Sequence, residues 1–392
     1  MTTRPPRVIV VGGGTMGLAS AAALAQRGAE VIVLERHGIL HDLGSHGGYT
    51  RVTRQAYHEG SSYVPLIRES EAAWERLEAA GGGSILVRCG LVEVGDPDDP
   101  DMRGVLSACR EYDLEHTIDD AAAVRRDHGF QVPPHFIACT TPSGGYLRVR
   151  AAFAAMRREA EARGAVLRVG AAVRELILGD LRPRVLLESG EILTADRLVI
   201  CAGAWIRGLL PAGRRGGFAV RRRILGWTEP AEAERARLAA MPVWAVFDPR
   251  GMFYGFPYGD HGVRGFKLAC HVYAQPGDPA ELDPDRVDRQ VHPDDLAPLA
   301  EFLERTLPAA VGPWSASAVC LYTCTPRGDF VVDRHPDDPR VIVAAGFSGH
   351  GFKCAPAIGR LAAGLALDDR SADAELPEIF RWGALEANLV AG

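Results

Sequence analysis

The chain has 392 residues, enough for two or three domains that each bury a core of their own. Hydrophobic residues make up 47% and charged ones 24%, globular proportions that exclude a disordered or collagen-like chain. Lys plus Arg is 44 and Asp plus Glu is 50, a net charge of −6, so nothing in the balance favours nucleic acid as a partner.

The opening Met1-Thr-Thr-Arg-Pro-Pro passes directly into the apolar run Val8 to Val11, without the cationic segment, apolar core and cleavage site of a signal peptide. No apolar stretch reaches the roughly 18 residues of a membrane span. The eight cysteines (89, 109, 139, 201, 270, 320, 324, 354) are scattered, unlike the disulfide framework of a small secreted domain. A cytoplasmic protein with free thiols and no membrane segment is expected.

Arg7-Val-Ile-Val-Val11 is a β-branched run, Thr15 to Arg27 has helical composition, and Glu30-Val-Ile-Val-Leu-Glu35 is a second strand-like run, which together predict a βαβ unit. Between the strands lies Gly12-Gly-Gly14-Thr-Met-Gly17, a G-x-G-x-x-G that follows a strand and opens a helix. Its glycines allow backbone N–H groups and a helix N-terminus to approach a pyrophosphate. Glu35 can accept the hydrogen bonds of a ribose 2′-OH and would repel a 2′-phosphate, which points to FAD or NAD rather than NADP.

Tyr63 to Ala80 reads as a helix ended by Gly81-Gly-Gly83, and Ile85 to about Gly144 as short strands with one helix. Val149 to Gly164 is again helical, followed by strands at Ala165 to Val169, Arg184 to Leu187 and Arg197 to Cys201. The last runs into the small-residue turn Ala202-Gly-Ala-Trp205, which suits close approach to a cofactor. Strand candidates then occupy Val243 to Phe247, Met252 to Phe256 and Gly265 to His271. A Pro/Asp-rich connection from Gln275 to Asp285 and an amphipathic helix at Asp294 to Thr306 follow. Phe330-Val-Val332 and Arg340 to Ala345 restore the first pattern before the turn Gly346-Phe-Ser-Gly-His-Gly351 and a helix from about Ala355. This interleaving predicts a discontinuous nucleotide domain with an inserted second domain.

Five blocks carry a family resemblance. They are Gly12 to Gly17 with Glu35, Gly44-Ser-His-Gly-Gly-Tyr-Thr-Arg-Val-Thr-Arg-Gln-Ala-Tyr57, Tyr254-Gly-Phe-Pro257 with Lys267 to His271, Cys320-Leu-Tyr-Thr323, and Gly346 to Lys353. In this order they resemble the monomeric sarcosine oxidase and N-methyltryptophan oxidase family, among the glycine-oxidase-like and D-amino-acid-oxidase-like flavoproteins. The resemblance implies an α/β fold in which a Rossmann-type, glutathione-reductase-like FAD domain (1–84, 145–217 and 322–392) holds an inserted α+β substrate domain (85–144 and 218–321) built on a mostly antiparallel sheet.

For the cofactor, the resemblance implies FAD joined through an 8α-thioether to Cys320. Without its flanking motif this cysteine would equally be a small buried hydrophobe. The implied cofactor contacts come from Gly12, Gly14, Thr15, Met16, Gly17, Glu35, Arg36, Ser45, Thr50, Val173, Ala202, Gly203 and Trp205. Gly346, Ser348, Gly349, His350, Gly351 and Lys353 complete them at the pyrimidine edge. No metal site is expected.

For the substrate, Arg51 and His46 are implied beside the flavin ring, while Arg54 and Lys353 grip a carboxylate through a planar fork and a point charge. On residue type alone the two arginines would fit a solvated turn. Lys267 sits in an apolar strand, a costly place for a charge without a partner or purpose; the resemblance assigns it to oxygen activation, although alternation alone equally allows it to face solvent. Tyr254, His271 and Tyr322 are implied on the substrate side. Ala245, facing Tyr254, is smaller than the family implies, so the pocket admits more than a methyl group.

The implied reaction is oxidation of an N-methyl amino acid at its C–N bond, hydrolysis of the imine, and reduction of dioxygen to hydrogen peroxide by a monomeric enzyme. No side chain stands out as a general base, so the substrate amine is expected to react in its neutral form, at a rate that rises with pH. Alternatives are oxidation of a cyclic imino acid such as pipecolate or proline, a dehydrogenase that passes electrons to a carrier, NAD-linked dehydrogenation, and a flavin-binding protein without catalysis.

Overall fold

A computed structural model describes residues 4–273, 282–368 and 370–391. The Pro/Asp-rich connection expected from Gln275 to Asp285 therefore lies outside the described residues as far as position 281.

The first strand, Arg7–Val11, pairs in parallel with Glu30–Glu35, placing Val8 opposite Val31 and Val11 opposite Leu34. Parallel neighbours need a crossover, and Thr15–Gln26 supplies it as a helix. Its residues are small enough to bury nearly all round: Gly359 of the Ala355–Ala366 helix lies so close that a Cβ there would stand 2.5 Å from the Ala19 backbone. The sheet continues to six strands in the order Val331–His335, Asp338–Ala345, Arg197–Ile200, Arg7–Val11, Glu30–Glu35, Val166–Val169. All its pairings are parallel except that of the Val331–His335 edge. The central runs Val8 to Val10, Leu198 to Ile200 and Val341 to Val343 are wholly buried, as expected when helices or further structure cover both faces.

The second layer is a nine-stranded sheet. Its main path runs Trp314–Cys324, Ala219–Thr228, Arg264–Tyr273, Gly251–Gly255, Val243–Asp248, Leu91–Gly95, Ile137–Thr141, Thr117–Asp120. Among the described strands of this sheet only Val243–Asp248 and Leu91–Gly95 run parallel. Strand alternation sorts the side chains to two faces. Trp244, Phe253, Phe266, Val92 and Val94 pack under the Pro293–Thr306 helix, where Phe302 stacks on Phe253 at 4.2 Å and on Trp244 at 5.7 Å. The opposite face carries Tyr254, Ala269, Leu225, Cys320 and Tyr322. That second face looks towards the ends of the parallel strands, and the candidate site lies there.

Two elements differ from expectation. The Ile85 to Gly144 segment holds two helices, Pro100–Glu111 and Ala121–His128, instead of one. The second is too short to show periodicity, but Asp120 caps it by accepting from the Ala123 N–H, and Gly129 closes it at φ +82°. The Tyr63 to Ala80 helix is regular only over Val64–Leu77, after which the chain widens into a turn of π-helix at Glu78–Gly82. Gly81, at φ +88°, breaks the helical backbone at the first of the three glycines expected to end it.

Candidate active site

A long cavity runs along the carboxyl ends of the parallel strands. The residues expected at the cofactor that line it are Gly12, Gly14, Thr15, Met16, Glu35, Arg36, Ser45, Val173, Ala202, Gly203, Trp205, Gly346, Ser348, Gly349 and Gly351, with His46 and Arg51. The Thr15–Gln26 helix starts into this cavity with no side-chain cap and no acidic residue in its first turn. Its first N–H groups are thus open to an anion at the positive end of the helix. Gly12 (φ +102°) passes so close beneath that a Cβ would stand 2.4 Å from the Cys201 carbonyl oxygen. At the far end of the second strand, Glu35 is buried and accepts from the N–H of Gly13 and of His37, each at 2.7 Å. Burial raises its proton affinity, but His41 and these two N–H groups outweigh that and hold it below the usual carboxylate value. An uncapped helix start, a bare glycine turn and an ionised acid one strand away fit the pyrophosphate and ribose of FAD.

Several residues expected at the cofactor stand elsewhere. Gly17 does not line the cavity; it faces the strand end, where a Cβ would stand 1.8 Å from the Gly12 carbonyl oxygen, so it serves helix–strand packing. Thr50 lies behind the wall, accepting from Lys267. Cys320 is buried in the layer just beneath Ser45 and Arg51, its Sγ 3.7 Å from the Ser45 carbonyl oxygen and 3.8 Å from an Arg51 nitrogen. His350 and Lys353 line the neighbouring cavity instead.

His46 is buried against Phe153, with ring centroids 4.5 Å apart. Burial, helped by His41 and Arg51, lowers its pKa to about 3, so it is a neutral imidazole. Arg51 donates to the carbonyls of Thr50 (2.8 Å) and Ser45 (2.7 Å). Lys267 points inward and is 3% exposed, which removes the solvent-facing alternative. Its Nζ donates to Gly48 O (2.6 Å), Thr50 Oγ1 (2.9 Å) and Thr50 O (3.1 Å), and lies 4.5 Å from the Phe256 ring centroid. Three acceptors match the three N–H bonds of an ammonium, while burial and the charge on Arg51 push its pKa well below the usual lysine value.

A second, smaller cavity adjoins the first and shares Arg51, Gly349 and Phe352 with it. Arg54, Ala245, Tyr254, His271, Tyr322, His350 and Lys353 line it. Gly349 closes the seam: at φ +85° it lies where a Cβ would stand 2.1 Å from the Tyr322 ring, a position only glycine fills. Lys353 donates to the His350 carbonyl (2.8 Å) and to the Tyr57 hydroxyl (3.2 Å). Burial, then the charge of Arg54, lowers its pKa to about 8. His271 stands 3.2 Å from the Tyr322 hydroxyl, and burial lowers its pKa to about 3. His350 falls to about 4 for the same reason.

The substrate side holds more than the sequence indicated. Arg54 is engaged by Glu59, 2.5 Å from its guanidinium, and also donates to the Ala56 carbonyl. Its charge lies 4.2 Å above the Tyr57 ring. Burial opposes that charge, but Glu59 and Glu93 raise the Arg54 pKa above its usual value. Glu59 in turn is held ionised, because Arg54 outweighs the effect of burial. Glu93 also lines the cavity, and burial raises its pKa to about 8. No general base stands out in the sequence; the structure adds two carboxyl groups, Glu59 and Glu93, to the wall of this cavity. Glu93 carries a legible signal, an acid between valines in Leu-Val-Glu-Val-Gly; Glu59 lies only five residues from Arg54. Tyr57, which touches both cations and places its hydroxyl 2.6 Å from His350 Nδ1, gives no such signal.

Among the described residues there is no cluster of His, Cys, Asp or Glu able to hold a metal ion. No described helix is long and apolar enough to cross a membrane.

The sequence matches the family described as FAD dependent oxidoreductase over residues 7–365. It is 33% identical to a monomeric sarcosine oxidase of Bacillus sp. (strain B-0618) across 93% of each chain. It is 30% identical to an N-methyl-L-tryptophan oxidase of Yersinia pestis (strain Pestoides F) across 93% of this chain and 95% of that one. Among solved structures, an open form of NikD, an amino acid oxidase essential for nikkomycin biosynthesis, superposes with a TM-score of 0.78 at 25% identity, covering 94% of this chain and 95% of that one.

Proposed function

The chain belongs to the FAD dependent oxidoreductase family, and from that premise we propose that it oxidises the C–N bond of an N-methyl or other secondary amino acid, with dioxygen as acceptor and Cys320 as the covalent anchor of FAD. The observation that carries this reading is the junction of the two cavities at Arg51, Gly349 and Phe352, with Arg54 and Lys353 buried in the second. A carboxylate bound by these cations directs the amine of the same molecule towards the junction. The flavin supplies the two-electron redox chemistry, and the protein supplies orientation and charge.

Each group in the site has a defined part. Neutral His46 and cationic Arg51 border the cofactor side. His271, with its low proton affinity, is a hydrogen-bonding partner for the substrate and not a source of charge. Lys267 stands just behind the wall, beside Arg51, where its three oxygen acceptors favour the ammonium form against the effect of burial. Arg51 stands 3.8 Å from the Cys320 sulfur, on the cofactor side of the wall. Ala245 on the cavity wall supports a second reading of the substrate, a cyclic imino acid such as pipecolate or proline. A monomer in the cytoplasm is the proposed working form.

Acid precipitation tests the attachment. Flavin colour is expected to stay with the wild-type pellet and to leave with the supernatant for Cys320→Ser; colour that washes out of both disproves the link. Anaerobic addition of sarcosine, N-methyltryptophan and L-pipecolate tests the activity, and bleaching by at least one is the expected result. Failure with all three points to the flavin-binding protein without catalysis.

The Lys353 pKa gives a prediction on pH. The side chain is cationic below about 8 and neutral above it, so a carboxylate loses one of its two partners as pH rises through that value. Calorimetric titration with methoxyacetate, which has no amine of its own to ionise, is expected to show affinity falling roughly tenfold above this pH, a change of about 1.4 kcal/mol. In Lys353→Met the profile is expected to be flat at the weaker affinity. An unchanged wild-type slope in the variant would assign the effect to another group.

A further inference from the structure

Glu93 is fully buried, and neither of its carboxyl oxygens has a hydrogen-bond partner among the described residues. A buried carboxyl group without a partner is costly and calls for a physical reason. Glu59, the other carboxylate of the cavity, pairs directly with Arg54; Glu93 feels the charges of Arg54 and Lys353 without a direct contact to either among the described residues, and it forms part of the cavity wall.

Its placement follows from the sheet. In the Leu91–Gly95 strand, Val92 and Val94 join the core under the Pro293–Thr306 helix, so Leu91 and Glu93 face the other way. Glu93 pairs with Ala245 on the next strand, and Ala245 pairs with Tyr254 on the one after. The three side chains therefore form one row across the substrate face. Strands lie about 4.8 Å apart, so Glu93 and Tyr254 stand roughly 10 Å from each other with only a methyl group between them. The row forms part of the wall of the second cavity, with the Ala245 methyl group between Tyr254 and the Glu93 carboxyl group.

We propose that Glu93 is a specificity-determining residue, which receives a hydrogen-bond donor at the end of the substrate's side chain. This rests on the reading of the cavity as an amino acid oxidase site. The amino acid is then fixed at two points: its carboxylate by Arg54 and Lys353, and an ammonium, amidinium or hydroxyl group by Glu93. Its side chain lies over Ala245. Burial raises the Glu93 pKa to about 8, so near neutrality a neutral donor meets the acid's carbonyl oxygen, while a cationic partner lowers that pKa and draws out the carboxylate.

The test uses the holoenzyme and three substrates with side chains of equal length, the α-N-methyl derivatives of ornithine, 5-hydroxynorvaline and norleucine, which end in ammonium, hydroxyl and methyl. Sarcosine is the reference. Wild-type kcat/KM is expected to favour the ammonium and hydroxyl ends over methyl by at least about tenfold. Glu93→Leu is expected to abolish or invert that ratio. Glu93→Gln, which keeps the volume, guards against misfolding and is expected to lose the ammonium preference first. The same ratio is read without turnover, by calorimetry, from the analogues in which O-methyl replaces N-methyl. A wild-type enzyme that favours the methyl end, or an unchanged ratio in both variants, overturns the proposal, as does an equal loss of kcat on every substrate, sarcosine included. If no amine is oxidised at all, the oxidase reading fails, and the calorimetric ratio still decides the role of Glu93.

Discussion

Replacing Lys267 by methionine is expected to lower the second-order rate with dioxygen by about 10²–10³-fold, while anaerobic bleaching by substrate changes by less than about tenfold. The lysine is buried, with three neutral oxygen acceptors and two aromatic faces around it, so its charge acts through a medium of low dielectric. A fixed cation there stabilises the negative charge that develops as oxygen is reduced, without reorganisation at that moment. Methionine preserves the length and apolar stem. Stopped-flow measurement of the two half-reactions separates the outcomes: equal losses in both would make Lys267 a support for the Gly48 to Thr50 backbone and nothing more.

The second large effect is expected at the carboxylate clamp. Arg54→Gln and Lys353→Met should each cost about 10²–10³ in kcat/KM, the scale of losing one partner of a buried, hydrogen-bonded charge pair. Because both hold one carboxylate, the double variant should lose less than the sum of the two. Part of the Arg54→Gln loss comes from Glu59, which is left buried without its cation. Arg54→Gln combined with Glu59→Gln removes that contribution. If the pair of substitutions restores full activity, Arg54 serves Glu59 and not the substrate.

What could be read from the sequence was what lies close along it or repeats with a period. Gly12 to Gly17 and Glu35 span one βαβ unit, so strand, turn, helix and acid are visible together. Lys267 was singled out because an apolar strand makes a charge conspicuous. Its direction was not legible, since its partners Gly48 and Thr50 are 219 and 217 residues away. Cys320 likewise meets Arg51 only across 269 residues. Glu93 carried the same local signal as Lys267, but its meaning depends on Ala245 and Tyr254, which the fold brings beside it from 152 and 161 positions further along the chain. The Ala121–His128 helix was lost because eight residues give too few turns for a pattern, and its cap is a single aspartate.

The Arg54–Glu59 contact bears on which anions the pocket accepts. A carboxylate tethered five residues from its arginine competes at an effective concentration in the millimolar range or above. Chloride, phosphate or acetate must displace that tethered rival with a single point of attachment, so salts of this kind are expected to inhibit poorly. A ligand that also engages Lys353 and the rest of the cavity brings several contacts against one. The internal pair thus works as a threshold, keeping a strongly basic pocket free of the commonest solutes until a molecule with the right spacing of groups arrives.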